Sequence, residues 1–351
     1  MSVHLIPAAE AVQSLGSYHT IIDARSESEW AHDHLPGAQN WPSLRDEERV
    51  RVGTLYKQVS AFEAQKIGAA LVARNIAAHI EREVLDKPRD WRPLIYCWRG
   101  GKRSNALALV LGQIGFRVGV IEGGYKAFRK AMLEDLAARA ECLSFRVICG
   151  PTGTGKTRLL HALGRAGAQV LDLEALACHR SSVLGAVPGQ PQPSQKRFES
   201  LLWDALRHFR PEEPVYVEAE SKKVGNVFVP EPLIQSMRRS PCVRLEMPLS
   251  GRVALLLEDY PQLTQDVDYL CRRLEALTVL RGREQVEQWQ AAARSGAFET
   301  LVRSLLALHY DPGYERSTAH NFAAFATAPT LALPDPTARS FDEAAAQLLQ
   351  G

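Results

Sequence analysis

The sequence predicts an α/β protein with two domains, each built on a parallel β-sheet. Short apolar segments of strand length alternate with longer segments of helical periodicity. Two of the strand-like segments run into glycine-rich loops that are followed by helices, which is where open parallel sheets place their sites. The length of 351 residues is enough for two separate cores. We predict domains at residues 1–137 and 138–351.

Composition restricts the class of protein. Hydrophobic residues make up 46% of the chain and charged residues 23%, which is typical of globular proteins, and the net charge of +2 does not by itself indicate a nucleic-acid partner. The six cysteines form no C-x-x-C pair, so neither a zinc site nor a disulfide framework is predicted. The first residues lack signal-peptide features, and no apolar segment is long enough to cross a membrane. We therefore expect a cytoplasmic protein without a membrane partner.

The elements of the first domain follow from its apolar segments. We predict strands over 20–25, 94–97 and 118–121, and helices over 61–82 and 104–114. Short connections between alternating strands and helices predict a parallel sheet with helices on both faces. Cys97 then lies at the carboxyl end of a strand.

The loop that begins at Cys97 is the first candidate site. The residues that follow the cysteine are Trp98, Arg99, Gly100, Gly101, Lys102 and Arg103. Two glycines allow backbone N–H groups to turn inward as an anion-binding nest, and we expect Ser104 to cap the next helix beside it. Three cations and these dipoles would stabilise a thiolate, whereas the alternative is a small buried structural cysteine. We predict that Cys97 is a catalytic nucleophile.

Several segments of this domain resemble those of rhodanese domains. They are Asp23-Ala24-Arg25, Glu29-Trp30, His34-Leu35-Pro36-Gly37-Ala38, the Cys97 loop and Glu122-Gly123-Gly124-Tyr125. The C-x5-R spacing from Cys97 to Arg103 is one residue longer than in common sulfurtransferases, and it is similar to rhodanese-fold phosphatases and arsenate reductases. A longer loop has room for a tetrahedral oxyanion, with Arg103 as a bidentate clamp. Trp98 could stack on a base or a prenyl group, or cover the loop.

The second domain opens with a phosphate-binding motif. A predicted strand over 145–149 runs into Gly-Pro-Thr-Gly-Thr-Gly-Lys-Thr, and a helix over 158–165 follows, which is the context that a P-loop requires. The predicted diphosphate ligands are Gly150, Gly153, Gly155, Lys156 and Thr157. Backbone amides would surround the phosphates, Lys156 would reach the terminal phosphate, and Thr157 would hold Mg²⁺. The domain is therefore expected to be P-loop NTPase-like.

Two further predicted strands, over 170–174 and 215–221, end in carboxylates. Asp172, Glu218 and Glu220 are the candidate acidic partners of the P-loop, although Asp172 is equally suited to cap a helix. The irregular segment 178–195, which includes Cys178-His179-Arg180-Ser181-Ser182, is interpreted as a substrate loop. After Ser317 we predict a tail that ends in a helix.

Across nearly its whole length the chain is similar to the tRNA 2-selenouridine synthase family. The segments that carry the resemblance are the Cys-Trp-Arg-Gly-Gly loop, the P-loop, Leu-Asp-Leu-Glu-Ala-Leu-Ala, Gly-Gln-Pro-Gln-Pro and Val-Glu-Ala-Glu-Ser-Lys-Lys-Val-Gly-Asn. The resemblance implies a rhodanese domain fused to a P-loop domain, with the catalytic cysteine at Cys97. One departure is Ser181, where the family has glycine.

The resemblance also implies a reaction. It implies replacement of sulfur by selenium in 2-thiouridine at the tRNA wobble position, with selenophosphate as donor and an S-geranyl intermediate made from geranyl diphosphate. The expected partners are the tRNA anticodon loop and a supplier of selenophosphate. We expect a monomer with no tightly bound cofactor other than Mg²⁺ at Thr157.

Two other classes of enzyme fit the same residues. One is an ATP-coupled sulfurtransferase. The other is a rhodanese-fold phosphatase or arsenate reductase with a regulatory P-loop domain, which Tyr96 disfavours because such phosphatases usually carry histidine before the cysteine. A non-catalytic rhodanese-like binding module is disfavoured by the intact cationic loop and the intact P-loop.

Overall fold

The computed structural model describes residues 3–181, 185, 189–261 and 265–350. The chain divides into two compact units. The N-terminal unit comprises residues 1–138 and 193–204, and the C-terminal unit comprises residues 139–192 and 205–351. Within the described ranges each unit contains one five-stranded parallel sheet, which confirms the predicted α/β class. No helix in these ranges has the length and apolar character needed to cross a membrane.

The N-terminal unit is a parallel sheet flanked by helices. Its strands are β1 (Val3–Ile6), β2 (Thr20–Asp23), β3 (Ala38–Asn40), β4 (Pro93–Tyr96) and β5 (Val118–Ile121), in the spatial order β1-β5-β4-β2-β3. Its helices are α1 (Ala8–Ser14), α2 (Glu27–His32), α3 (Asp46–Gln58), α4 (Ala61–Glu83), α5 (Lys102–Ile114) and α6 (Gly124–Cys142). Ile95 pairs with Ile22 on one side and with Val120 on the other, and all three are fully buried. The central strand β4 therefore presents Cys97 at the carboxyl edge of the sheet.

The C-terminal unit contains the second parallel sheet. Its strands are β6 (Phe145–Cys149), β7 (Gln169–Leu171), β8 (Val215–Glu218), β11 (Cys242–Glu246) and β12 (Thr330–Ala332), and a separate hairpin pairs β9 (Lys223–Val224) with β10 (Val227–Phe228). The spatial order β12-β11-β6-β8-β7 places β6 at the centre. The P-loop therefore starts from the central strand, just as the Cys97 loop does in the other unit.

The helices of the second half of the chain form two groups. The helices beside the sheet or the P-loop are α7 (Lys156–Arg165), α8 (Leu173–Ala177), α10 (Glu231–Arg239), α11 (Leu249–Asp259) and α17 (Ala338–Gln350). Helix α9 (Gln195–Leu206) carries most of the segment that belongs to the N-terminal unit. The others are α12 (Val267–Glu275), α13 (Thr278–Arg281), α14 (Arg283–Arg294), α15 (Phe298–Leu305), a π-helical turn (Leu306–Tyr310) and α16 (Asp311–Asn321). Trp289 and Leu274 belong to the core of this second group.

The end of the chain is an integral part of the C-terminal unit. The segment predicted as a tail supplies β12, which pairs with β11, and α17, which packs beside α7. Phe341 of α17 is buried in the same core cluster as Leu159 and Leu163 of α7. This contact fixes the helix that follows the P-loop against the sheet.

Candidate active site

Cys97 lies at the floor of its loop with hydrogen-bond donors directed at the sulfur. Only 3% of its surface is exposed, so Cys97 is buried. The Gly101 N–H group donates to Sγ at 3.2 Å, and the Ser104 hydroxyl donates at 3.1 Å. Gly100 has a φ of 64°, which lets the loop turn back over the cysteine. Two donors at this distance stabilise negative charge on sulfur.

Ser104 has a different role from the one predicted. The prediction that it caps α5 is wrong, because the helix begins at Lys102 and Gly101 is the N-cap residue. Ser104 is instead buried in the first turn, with its hydroxyl near both Sγ and the Gly101 carbonyl oxygen, at 3.2 Å from the latter. A hydroxyl has one proton, and a thiolate is the stronger acceptor of the two. The residue therefore contributes directly to the thiol site.

Arg103, the predicted anion clamp, is paired with a carboxylate. Its Nη1 atom lies 2.7 Å from Oε2 of Glu29, a residue of α2. The same carboxylate accepts a hydrogen bond from the Ser26 N–H group at 3.2 Å, so it also caps α2. Burial acts to raise the pKa of Glu29, but the hydrogen bond and charge of Arg103 outweigh it, and the net shift is downward. One edge of the guanidinium is thus oriented by the protein, and its role as a clamp stays a prediction.

The remaining loop residues are held by the start of α6. The Tyr125 N–H group donates to the Cys97 carbonyl oxygen at 2.8 Å, and the Lys126 N–H group donates to that of Trp98 at 3.1 Å. A Cβ atom on Gly124 would lie 2.2 Å from the Cys97 carbonyl oxygen, so this close approach requires glycine. The Trp98 ring stacks on Tyr125 with ring centroids 5.3 Å apart. Arg99 and Lys102 extend their side chains into solvent.

The P-loop of the C-terminal unit has the geometry expected before a helix. Gly155 is the N-cap of α7 with a φ of 79°, and Gly153 also has positive φ. Lys156 Nζ donates to the Gly150 carbonyl oxygen at 2.9 Å, so the lysine lies along the loop that it is predicted to serve. The start of α7 therefore directs its backbone N–H groups toward the loop, as a phosphate site requires.

Distant side chains fix the P-loop. Arg252 of α11 donates to the Thr152 carbonyl oxygen at 2.7 Å and pairs with Asp311 at 2.6 Å. The Gly150 N–H group donates to the Tyr314 hydroxyl of α16. Sequence reasoning did not find Arg252, Asp311 or Tyr314, because they lie at least 95 residues from the motif along the chain and carry no motif of their own.

A carboxylate cluster lies beside the P-loop. Glu174, Glu218 and Glu220 place oxygen atoms within 4.8 Å of one another, and the Thr157 hydroxyl is hydrogen-bonded to Glu218. Burial, followed by the charges of its neighbours, raises the pKa of Glu174 to about 9 and that of Glu220 to about 7. Burial also raises the pKa of Glu218, whose Oε1 atom is buried without a hydrogen-bond partner in the described part of the chain.

Asp172 caps a helix, and Glu174 joins the carboxylate cluster. The strand predicted over 170–174 ends at Leu171, and Asp172 is the N-cap of α8, where its Oδ1 atom accepts from the Ala175 N–H group at 2.8 Å. Its Oδ2 atom lies 3.0 Å from His161 Nε2. The capping alternative is therefore observed. Asp172 also lines the space over the P-loop together with Glu174 and Glu218, so its role as an acidic partner stays a prediction. Glu174, which sequence reasoning did not select, joins Glu218 and Glu220 instead.

Comparison with known proteins agrees with the two kinds of domain. Residues 143–269 match the family model of the tRNA 2-selenouridine synthase AAA domain, and residues 7–131 match that of the rhodanese-like domain. A tRNA 2-selenouridine synthase from Nitrosomonas europaea is 35% identical over 300 residues, which cover 84% of this chain and 77% of the relative. The chain belongs to the tRNA 2-selenouridine synthase family. The resemblance stated from sequence is thereby confirmed.

Two further matches complete the comparison. A tRNA 2-selenouridine synthase from Marinobacter nauticus is 33% identical over 327 residues, which cover 84% of this chain and 87% of the relative. Among solved structures, a rhodanese-related protein from Thermoplasma volcanium is 18% identical with a TM-score of 0.24, over 36% of this chain and 91% of that one.

Two sequence segments that indicated the synthase family meet in the structure. Gln192 of the Gly-Gln-Pro-Gln-Pro segment donates to the Val224 carbonyl oxygen at 3.1 Å, and its own Oε1 atom accepts from the Asn226 N–H group at 2.7 Å. Gly225 has a φ of 59°, and a Cβ atom there would lie 2.2 Å from Gln192. The two segments are therefore held together by hydrogen bonds, which anchor the end of the predicted substrate loop.

A cavity of about 620 Å³ opens over the P-loop of this family member. Its floor includes the P-loop and the three glutamates, and its wall includes Tyr260, Tyr310 and Tyr314. The described residues of the predicted substrate loop that line it are Cys178, His179, Arg180, Ser181 and Gln190. Ser182 and residues 183, 184 and 186–188 of that loop lie outside the described residues. The cavity volume lies within the range of small-molecule binding sites.

Proposed function

We propose that this protein is a tRNA 2-selenouridine synthase that replaces the sulfur of 2-thiouridine at the tRNA wobble position by selenium from selenophosphate. Family membership supports a tRNA-modifying enzyme. The observation that carries the proposal is the presence of two anion-binding loops in one chain, one around the Cys97 sulfur and one before α7. We further propose that it acts as a cytoplasmic monomer on a splayed base of the anticodon loop.

The first step is assigned to the P-loop cavity with geranyl diphosphate as substrate. The thiocarbonyl sulfur attacks C1 of the geranyl group, a carbon–sulfur bond forms, the carbon–oxygen bond breaks, and diphosphate leaves with the electron pair while the base loses its N3 proton. Lys156 and the loop amides stabilise the charge that develops on the diphosphate. The tyrosines of the cavity wall provide aromatic surface for the hydrocarbon.

The carboxylate cluster fits a divalent cation. Three glutamates supply the oxygen ligands that Mg²⁺ prefers, and the unpartnered Oε1 atom of buried Glu218 is a free acceptor there. Glu174, Glu218 and Glu220 together with Thr157 would hold the ion. When bound, Mg²⁺ supplies positive charge that offsets the charge of the diphosphate.

The second step is assigned to the Cys97 loop with selenophosphate as donor. Alkylation makes the exocyclic sulfur a better leaving group, so selenium bonds to C2, the C2–sulfur bond breaks, and geranylthiol departs. Cys97 can take part in two ways. If the thiolate attacks selenium, a sulfur–selenium bond forms and the phosphorus–selenium bond breaks with its electrons on phosphorus, which leaves phosphite. After this selenium bonds to C2, a thiol reductant must attack the Cys97 sulfur, so that the sulfur–selenium bond breaks with its electrons on selenium and a disulfide forms at Cys97. If the loop only holds the donor, selenium bonds to C2 while it is still attached to phosphorus, and water then cleaves the phosphorus–selenium bond to give phosphate. ³¹P NMR of the spent donor distinguishes the two routes.

The division of labour is tested with tRNA that carries 2-thiouridine and mass spectrometry of its nucleosides. Cys97→Ala should abolish selenation and leave geranylation intact, whereas Lys156→Ala should abolish geranylation. Cys142→Ala, at an exposed cysteine, is the matched control and should keep both activities. Loss of both activities in Cys97→Ala would contradict the assignment. Displacement of bound geranyl diphosphate by ATP at similar concentrations would instead favour the ATP-coupled sulfurtransferase.

A further inference from the structure

One segment of the chain belongs to a different structural unit from the residues that precede and follow it in sequence. Residues 193–204 lie in sequence between α8 and β8, both in the C-terminal unit, yet they are part of the N-terminal unit. Phe198, Leu202 and Trp203 of this segment are fully buried. It is therefore an integral part of the rhodanese-like unit, although the first 138 residues do not encode it.

Polar contacts anchor both ends of this segment. The Ser194 hydroxyl donates to the His32 carbonyl oxygen at 2.6 Å, at the end of α2. At the other end, Trp203 Nε1 donates to Asp135 at 2.8 Å. These contacts fix the start of α9 beside the turn after α2 and its later residues against α6.

Asp33 links the segment to the cysteine loop. This carboxylate is buried, and its Oδ2 atom accepts from the Tyr125 hydroxyl at 2.6 Å, the Ser200 hydroxyl at 3.1 Å and Arg129 Nη1 at 3.3 Å. The Tyr125 N–H group in turn donates to the carbonyl oxygen of Cys97. A continuous set of hydrogen bonds thus runs from α9 to the residue that carries the thiol.

Lys196 is the residue that the segment brings to the loop. Its backbone carbonyl oxygen accepts from Arg129 Nη1 at 3.2 Å, which fixes its place on α9. Its ammonium group lies 5.8 Å from the centroid of the Trp98 ring. Within the described ranges no carboxylate is paired with this ammonium group, whereas the charge of Arg103 is offset by Glu29. Lys196 therefore adds an uncompensated positive charge beside the residue that follows Cys97.

We propose that Lys196 is a positioning residue of the Cys97 site, which attracts an anionic ligand to the mouth of the loop and orients it toward the sulfur. The inference rests on the proposed function in that the anionic ligand would be the selenophosphate donor. The charge acts through its position over Trp98, which the anchored segment and Asp33 maintain. The Trp98 ring then has a structural role, because it stacks on Tyr125 and lies near the Lys196 ammonium group.

The test compares two alkylating reagents of similar size that differ in charge, iodoacetate and iodoacetamide. Both form a carbon–sulfur bond at Cys97 and release iodide, and peptide mass spectrometry reports the two rates on the full-length protein. Lys196→Gln should lower the ratio of the iodoacetate rate to the iodoacetamide rate at Cys97 by about three- to tenfold, as expected for loss of one nearby charge. Lys196→Arg should restore the ratio. The exposed Cys142 of the same molecule is the internal reference.

Lys130→Gln is the control for loss of a lysine elsewhere in the same unit, because Lys130 is an exposed residue of α6 whose ammonium group lies 3.9 Å from Glu134. It should leave the ratio unchanged. If Lys196→Gln slows both reagents equally, or leaves both unaffected, the proposal is overturned. Lys196→Gln should also raise KM for selenophosphate without changing geranylation. Absence of selenation by the wild type would overturn the proposed function, while the alkylation ratio would still decide the role of Lys196.

Discussion

Ser104→Ala is the most informative single change at the thiol site, because it removes one of the two donors to Cys97 Sγ and little else. The hydroxyl lies 3.1 Å from Sγ in a fully buried position, so water does not readily replace it. A hydrogen bond to a charged group contributes about 1.5–3 kcal/mol, which corresponds to about 10- to 150-fold in a rate or population. Because the Gly101 carbonyl oxygen competes for the same proton, we expect the lower end of this range, about tenfold.

The assay is the rate of Cys97 alkylation by iodoacetamide at fixed pH, followed by peptide mass spectrometry. Ser43→Ala is the matched control, since Ser43 is also fully buried and its hydroxyl donates to the Arg103 carbonyl oxygen at 3.0 Å rather than to sulfur. It should change the rate by less than about twofold, which is about 0.4 kcal/mol. A Ser104→Ala rate equal to that of the control would show that the hydroxyl does not stabilise the thiolate.

Three further changes test other parts of the structure. Glu29→Gln should destabilise the protein by about 1–3 kcal/mol near neutral pH. Because the pKa of Glu29 is lowered on folding, this loss should be full above about pH 4.5 and disappear in stronger acid, as measured by urea unfolding across pH. Glu218→Gln should abolish the rise in melting temperature that MgCl₂ gives the wild type, without lowering the melting temperature in EDTA, because it relieves repulsion within the cluster. Gly155→Ala should lower the free energy of unfolding by about 1–3 kcal/mol, because φ is positive there and a Cβ atom would lie 2.4 Å from Phe341. Gly16→Ala is the control, since a Cβ atom at Gly16 meets no neighbour. Equal denaturation midpoints for the two variants would refute this prediction.

Local sequence signals predicted the parts of the sites that the backbone builds. The strand at 145–149 has the predicted bounds, and the P-loop follows it directly because the glycines at 153 and 155 supply positive φ. The Cys97 loop likewise follows the central strand of its sheet. In both places the chemistry depends on neighbours within ten residues, which is the range that motif spacing describes.

Predictions that depended on a single residue at an element boundary were less accurate. Ser104 has high capping propensity, yet Gly101 is the N-cap, and the helix begins two residues earlier than predicted. Asp172 ends its strand early and starts α8, which moves Glu174 from a strand end to a helix. Capping propensity does not identify which of several adjacent polar residues the tertiary structure selects.

Contacts between residues that are distant in sequence could not be predicted from sequence patterns. Arg252 holds the P-loop from α11, and Phe341 fills the space over Gly155 from the last helix. Lys196 reaches Trp98 from a segment almost one hundred residues further along the chain. These residues have ordinary side chains in ordinary helices, so only the fold shows that they face a functional loop.

The two loops differ in how their principal cation is held, and this difference has a consequence for ligand binding. Lys156 donates to the neutral carbonyl oxygen of Gly150, which a phosphate oxygen can replace with a net gain in attraction. Arg103 is paired with the carboxylate of Glu29, so an oxyanion at Cys97 would share the guanidinium with an existing negative charge. The attraction for an anionic donor at the thiol must therefore come mainly from the backbone nest and from cations without carboxylate partners. Lys196 meets that requirement, as do the exposed Arg99 and Lys102, so its charge should contribute more than that of Arg103 to the preference of Cys97 for anionic reagents.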